Sequence, residues 1–98
     1  MQFSIKLTNY QKNPMLNICD AELLGKDISE NDLNLNISKS FYGEKLINKK
    51  EAEDLLKTCS VINMVGKETI SLSVSLGIGS YQGVKEINGI PFLLIFKM

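Results

Sequence analysis

Apolar and polar positions alternate along this chain in several short runs, and the period of each run predicts an element. Phe3, Ile5 and Leu7 alternate with Ser4, Lys6 and Thr8, so residues 2–9 read as a strand with one apolar side. Asn9 to Pro14 is a cluster of turn formers, and Met15, Leu16, Ile18 and Cys19 form a second, more fully buried strand; together they predict an antiparallel hairpin. Asp20 then opens Ala21-Glu22-Leu23-Leu24-Gly25, one helical turn with Asp20 as cap and Gly25 as terminator. Leu33, Leu35 and Ile37 alternate with Asn34, Asn36 and Ser38 and give a third strand with one wet face. Asn48, with Glu51 three residues later, has the pattern of a capping box and starts a helix over 49–58 whose core face is Ala52, Leu55, Leu56 and Cys59.

The stretch from Cys59 to Gly77 fits two templates. From Thr69 to Leu76 the alternation of Ile70, Leu72, Val74 and Leu76 with Ser71, Ser73 and Ser75 is that of a half-buried strand, whereas Val65, Thr69, Leu72 and Leu76 lie on one face of a helix. The flanks favour the helix, over 64–76: Asn63 as N-cap, Glu68 near the positive end of the dipole and Gly77 as a left-handed C-terminal cap. Residues 78–83 read as a connector. Val84–Ile87 and Ile90–Phe96 flank Asn88-Gly89, a strong hairpin signal, and the apolar run Phe92–Phe96 predicts a mid-sheet strand covered on both faces. The expected fold class is α+β: one domain over 1–98, with a mixed or mainly antiparallel sheet of five or six strands and two helices packed on one face.

Composition adds exclusions. The eleven basic residues are all Lys, matched by eleven acids, with no Arg, His or Trp. Without Arg there are no bidentate forks for guanine or phosphate, so no DNA sequence readout is expected, and any RNA contact falls to Lys, aromatic rings or backbone. Without His, and with Cys19 and Cys59 forty positions apart, no zinc site can be completed; no metal and no cofactor is expected, and the cysteines read as small buried hydrophobes. Neither a signal peptide nor a long apolar segment is visible, so a cytoplasmic protein without a membrane partner is expected. Asp20 to Asp32 holds five acids against one Lys and reads as a solvated connector.

Two groups of residues carry candidate contacts. In Lys39-Ser40-Phe41-Tyr42-Gly43-Glu44-Lys45, adjacent rings on an extended loop point to opposite sides, with Tyr42 the better placed for exposure. The plain reading is a Phe anchor with a Tyr at the core rim; the alternative is a base-stacking platform flanked by Lys39 and Lys45. If Asn63 caps the following helix, Gly66 and Lys67 lie at its N-terminus, where a phosphate or carboxylate could approach; the plain reading is an ordinary cap and a packing glycine. Gly66-Lys67-Glu68-Thr69 lacks the first half of a phosphate-binding loop.

The segments ICDAELLGK, FYGEKLI, KKEAEDLLK, INMVGKE and EINGIPFLLI, in that order and over nearly the whole chain, resemble the small archaeal family known as domain of unknown function 424. The resemblance implies an archaeal cytoplasmic protein with a helix after Asn63, and no established activity. In that family the position after the Gly-Ile/Val-Pro turn is often a histidine; here it is Phe92, so a shared histidine chemistry is not implied for this chain. Two functions are carried forward. One is a non-enzymatic binding protein contacting RNA or a translation-associated protein through Lys39, Phe41, Tyr42, Gly43, Lys45 and the Asn63–Lys67 helix start. The other is a small-ligand or anion-binding enzyme whose acid-base work falls to Asp20, Glu22 or Lys26. Oligomeric state is left open.

Overall fold

The computed structural model describes residues 2–97 and builds its core on the two faces of a mixed sheet. Eight strands and three helices follow in the order β1 (Gln2–Tyr10), β2 (Asn13–Asp20), β3 (Asp27–Glu30), β4 (Leu33–Asn36), α1 (Lys39–Tyr42), β5 (Lys45–Asn48), α2 (Lys49–Thr58), β6 (Val61–Val65), α3 (Lys67–Ser75), β7 (Lys85–Ile87) and β8 (Ile90–Phe96). Six strands form one mixed sheet, ordered β5-β1-β2-β6-β8-β7, in which only β2 and β6 run parallel. β3 and β4 form a separate two-stranded sheet. The domain is thus α+β, with α2 and α3 on one face of the main sheet.

Alternation in the strands sorts the residues into two clusters. Phe3, Ile5, Leu16, Ile18, Ile47, Ile62, Met64 and Leu93 face α2 and α3 and pack with Ala52, Leu56, Ile70 and Leu72. On the opposite face Cys19 and Val65 meet Ile28, Ile37 and Tyr42, with Leu23, Leu24, Leu35, Ile87, Ile90 and Phe92 around them. The β3–β4 hairpin, the short 3-10 turn Ala21–Leu23 and α1 therefore cover only part of this second face. Cys19 and Cys59 are both free and buried.

The helix in the central stretch is real but begins at Lys67 rather than near residue 64, and Asn63 is not its cap. Residues 61–65 are instead the central strand β6, hydrogen-bonded to β2 on one side and β8 on the other. Four of its five residues are buried, and an apolar segment of that kind is worth more between two strands than as the first turn of a helix. The far end matches expectation: Gly77 adopts φ +77°, Ile78 N–H donates to Ser73 O at 3.0 Å and Gly77 N–H to Val74 O at 2.9 Å, which closes α3. Ser73, polar in a buried position, donates from Oγ to Ile78 O at 2.7 Å. The strand-like alternation of Thr69–Leu76 thus misleads because that buried serine is satisfied locally.

Other expectations are adjusted. The third predicted strand, β4, pairs with β3 from inside the supposed connector, not with the main sheet. β8 is internal to the sheet but not covered on both faces: Leu94 and Phe96 are about half-exposed, at 51% and 52%. Phe41 and Tyr42 exchange roles. They sit in a helical turn, α1, not on an extended loop, so Tyr42 turns into the second cluster and Phe41 is the exposed ring. Asn48 caps α2 as expected, its Oδ1 accepting from Glu51 N–H at 2.9 Å. On the exposed side of α2, Lys50 and Asp54, four residues apart, pair at 3.1 Å.

The β1–β2 hairpin closes through Gln11 and Lys12 at φ +50° and +70°, both flanked by the Tyr10–Asn13 pair. Neither residue is one that favours this conformation. Replacing Lys12 with Gly removes a cost of roughly 1 to 2 kcal/mol per strained residue, less the extra chain entropy of glycine. The expected outcome is a stability gain of about 1 kcal/mol in urea titration, with an unchanged amide spectrum outside the turn.

Candidate functional site

The end of β2, the start of α3 and the β7–β8 turn converge on a cleft of about 260 Å³ lined by Asp20, Glu22, Leu23, Gly66, Lys67, Glu68, Gly89, Ile90 and Pro91. Asp20 is its inner wall, 3% exposed, because β2 alternation turns it toward the helix side of the sheet. There its Oδ2 accepts from Glu68 N–H at 3.1 Å, and its Oδ1 accepts from Thr69 N–H at 2.8 Å and Thr69 Oγ1 at 2.7 Å. The carboxylate therefore caps α3 from a strand 48 residues earlier in the chain. It does not cap the 3-10 turn that follows it, where it makes no side-chain cap bond.

Gly66 makes this possible. Its φ is +112°, and a Cβ there would lie 2.5 Å from Asp20 Oδ2 and 2.6 Å from Oδ1. Gly66 N–H donates to Pro91 O at 2.9 Å. Of the amides expected to receive an external anion, that of Gly66 is thus engaged by Pro91, and the next ones along α3, of Glu68 and Thr69, are held by the Asp20 carboxylate. Lys67 stays exposed at the rim. Asp20, Glu22 and Glu68 have carboxylate oxygens within 4.8 Å of one another and are the acidic group that could hold a cation, but both Asp20 oxygens already accept hydrogen bonds. Lys26 is not among the cleft residues; it lies exposed in the turn before β3, with its N–H on Leu23 O and its carbonyl receiving Ile37 N–H.

Asn63, expected beside Gly66 and Lys67, faces the other side of the sheet. Its Nδ2 donates to Tyr42 OH at 2.9 Å and to Asn17 Oδ1 at 3.4 Å; Asn17 Nδ2 in turn reaches Thr8 Oγ1 at 3.3 Å and Lys6 O at 3.5 Å. This ladder crosses β1, β2 and β6 and ends on α1. Burial pushes the Tyr42 phenol up to about 12, with the Asn63 hydrogen bond partly opposing. Burial, with the charges of Asp20 and Glu22, also raises Cys19 to about 12, and burial raises Cys59. Neither thiol is poised as a nucleophile.

Beyond the Asn63–Tyr42 pair, the half of this face not covered by α1 and the β3–β4 hairpin is open. Tyr10 and Phe96, 42% and 52% exposed, stand edge to face with centroids 5.7 Å apart, and Leu94 lies next along β8. By strand register the main-sheet positions on this face include Lys6 and Lys85 and no carboxylate. Lys6 Nζ donates to Ser40 O at 2.9 Å, which ties β1 to α1, and Lys39 and Phe41 are exposed on α1. Gly43 ends that turn, its N–H on Lys39 O at 2.8 Å. Lys45 points to the helix side instead and pairs with Glu51 at 3.6 Å, so Lys39, Lys45 and Lys67 do not form one patch. The open face was missed in the sequence because Tyr10 reads as a turn residue and Leu94 and Phe96 as core. The available signal was the even positions of β1, Ser4 to Tyr10, which share one side.

Among the described residues no helix is long and apolar enough to cross a membrane. A sequence family described as "Protein of unknown function (DUF424)" matches residues 8–98. No functionally curated protein matches the chain. The fold is similar to the crystal structure of an uncharacterized conserved protein from the archaeon Methanopyrus kandleri, at 21% identity and a TM-score of 0.78, covering 100% of this chain and 95% of that one.

Two outcomes follow from the site. Gly66 and Gly89 both have positive φ, but a Cβ on Gly89 would meet nothing within 4 Å. Gly66→Ala should therefore destabilise more than Gly89→Ala in urea titration, and the excess should shrink in an Asp20→Ala background. Asp20→Ala alone, leaving buried donors unpaired, should cost roughly 2 to 3 kcal/mol.

The second outcome concerns pH. Cys19 and Tyr42 hold their protons to about 12 in the folded chain, against ordinary values of 9.0 and 10.0. Folding is then favoured fully below pH 9 and loses stability as pH rises from there toward 12. Tyr42→Phe should remove the part of that loss that begins near pH 10, read from denaturation midpoints across alkaline pH.

Proposed function

Because the chain belongs to the DUF424 family of proteins of unknown function, we propose its role from the site alone: a non-enzymatic binding protein that takes single-stranded RNA on the open half of its sheet. The observation that carries this reading is the acid-free sheet face on which Tyr10, Phe96 and Leu94 are exposed beside Asn63. Rings held on a rigid sheet offer sequence-tolerant stacking to bases splayed from a single strand. Asn63 Oδ1 has no side-chain partner among the described residues, so it is available to accept from a base edge. Lys85 and, from α1, Lys39 supply point charges for the backbone, in keeping with a chain that has no Arg. Phe41 extends the apolar rim from the α1 side. Tyr42 and Gly43 take part by position: Tyr42 orients Asn63, and Gly43 ends the turn that carries Phe41.

The test is titration of labelled single-stranded RNA oligonucleotides at low and high salt, with amide shifts recorded in parallel. Binding should weaken with salt, and the shifts should map to β1, β6 and β8. Tyr10→Ala and Phe96→Ala should each reduce affinity by about 1 to 3 kcal/mol, and Lys85→Ala should lower the salt slope by about 1. Absence of binding at low salt, or affinity indifferent to Tyr10→Ala and Phe96→Ala, would sink the proposal.

A further inference from the structure

The exposed part of β8 has a second property, independent of what its face binds. Strand β7 pairs with β8 only through Lys85–Phe92, Glu86–Pro91 and Ile87–Ile90, and then the chain leaves the sheet. β8 continues to Phe96. Asn88 and Gly89 both have positive φ, so Ile87 and Ile90 flank a two-residue turn and exchange backbone hydrogen bonds. The alternation of an antiparallel ladder then fixes the rest: Ile90, Phe92, Leu94 and Phe96 direct their N–H and C=O toward the β7 side, and residues 91, 93, 95 and 97 toward β6. Two bonds agree with this phase, Gly66 N–H to Pro91 O at 2.9 Å and Lys97 N–H to Ser60 O at 2.8 Å. Leu94 and Phe96 therefore present their backbone donors and acceptors outward where β7 has ended, and no backbone hydrogen bond from the 77–84 connector reaches them.

Unpaired backbone at a sheet edge specifies its occupant more closely than an apolar patch does, because an extended strand is what satisfies it. We propose that this occupant is β8 of a second copy of the chain, added antiparallel about a two-fold axis at Ile95. In that register Leu94 faces the partner's Phe96 and Phe96 the partner's Leu94, both as hydrogen-bonded pairs, and Ile95 faces its own counterpart. The segment matches itself: the outward-bonding residues are the same ones whose side chains are half-exposed, so one pairing satisfies the backbone and sets Leu94 and Phe96 side by side with those of the second copy, leaving their sheet face open. No residue from 93 to 96 is charged and the formal net charge of the chain is zero, so like-charge repulsion does not oppose it. A two-fold axis perpendicular to the sheet keeps α2 and α3 of both copies on one side and continues the opposite face across the junction.

Sedimentation equilibrium on the full chain, with residue-resolved amide exchange, tests the pairing. The mass should double with concentration, and protection of the Leu94 and Phe96 amides should rise with it, while the Leu93 and Ile95 amides, bonded within the chain, stay protected throughout. Phe96→Pro removes the ring and, of the backbone hydrogen-bonding groups, only an outward N–H, which an edge tolerates, and should leave a folded monomer. Phe96→Thr removes the ring but keeps the N–H and should retain a weakened dimer. A wild-type mass that stays monomeric as concentration is raised, equal dimerisation of Phe96→Pro, or equal loss in Phe96→Pro and Phe96→Thr would overturn strand pairing. Should Phe96→Pro fail to fold, the concentration dependence of the wild-type Leu94 and Phe96 amides decides.

Discussion

The carboxylate of Asp20 against the N-terminus of α3 is the contact on which the arrangement of the sheet depends. It joins the end of β2 to the first turn of α3, and the glycine between β6 and α3 is the only residue type that lets the two approach so closely. Because β2 and β6 are the parallel central pair, this single cap ties the ends of both to the first turn of α3. A helix with serines at 71, 73 and 75 has little intrinsic tendency to form, so its stability comes from this cap, the Gly77 terminator and burial of Ile70 and Leu72. The same carboxylate fills the place an external anion would take, and thereby moves the search for a ligand away from the helix and onto the open sheet face.

That face is shaped by what covers the rest of it. The β3–β4 hairpin and α1 close over Cys19, Val65 and Phe92 and stop at the Asn63–Tyr42 hydrogen bond. On one side of this line the sheet is core, and on the other its apolar residues meet solvent. Asn17, fully buried at the boundary, is satisfied on both amide atoms, so the line is a built feature with no polar atom stranded behind it.

Much of this fold is legible in the sequence wherever local chemistry decides. Asn88-Gly89 sets a hairpin, Asn48 caps a helix, and the alternation from Phe3 to Leu7 gives a strand whose apolar side does face the core through Phe3 and Ile5. What is hidden is decided by residues far apart in the chain. Nothing near Asn63 shows that it lies in a central strand, because the strands on either side of it come from residues 15–19 and 92–96. Asp20 reads as the cap of its own turn, since its true partner is 48 positions away. Phe41 and Tyr42 invert because one helical turn replaces an extended loop, and rings 100° apart around a helix are sorted by which of them finds a partner. Here that partner is the Asn63 amide. The candidate residues were therefore partly recognised but wrongly grouped: Asp20, Glu22, Gly66 and Lys67 share a cleft, whereas Asn63 joins Tyr42.

The parallel seam between β2 and β6 has a kinetic consequence. Its two strands are separated by the whole stretch from Ala21 to Ser60, so a long loop must close before either gains its neighbour. Until then the β1–β2 ribbon and helix α2 can form only as local pieces, with the Ile62 and Met64 side of the interior still wet. Maturation of this chain is thus governed by a late, long-range zippering event, and an emerging polypeptide cannot complete its centre before its last third has been made.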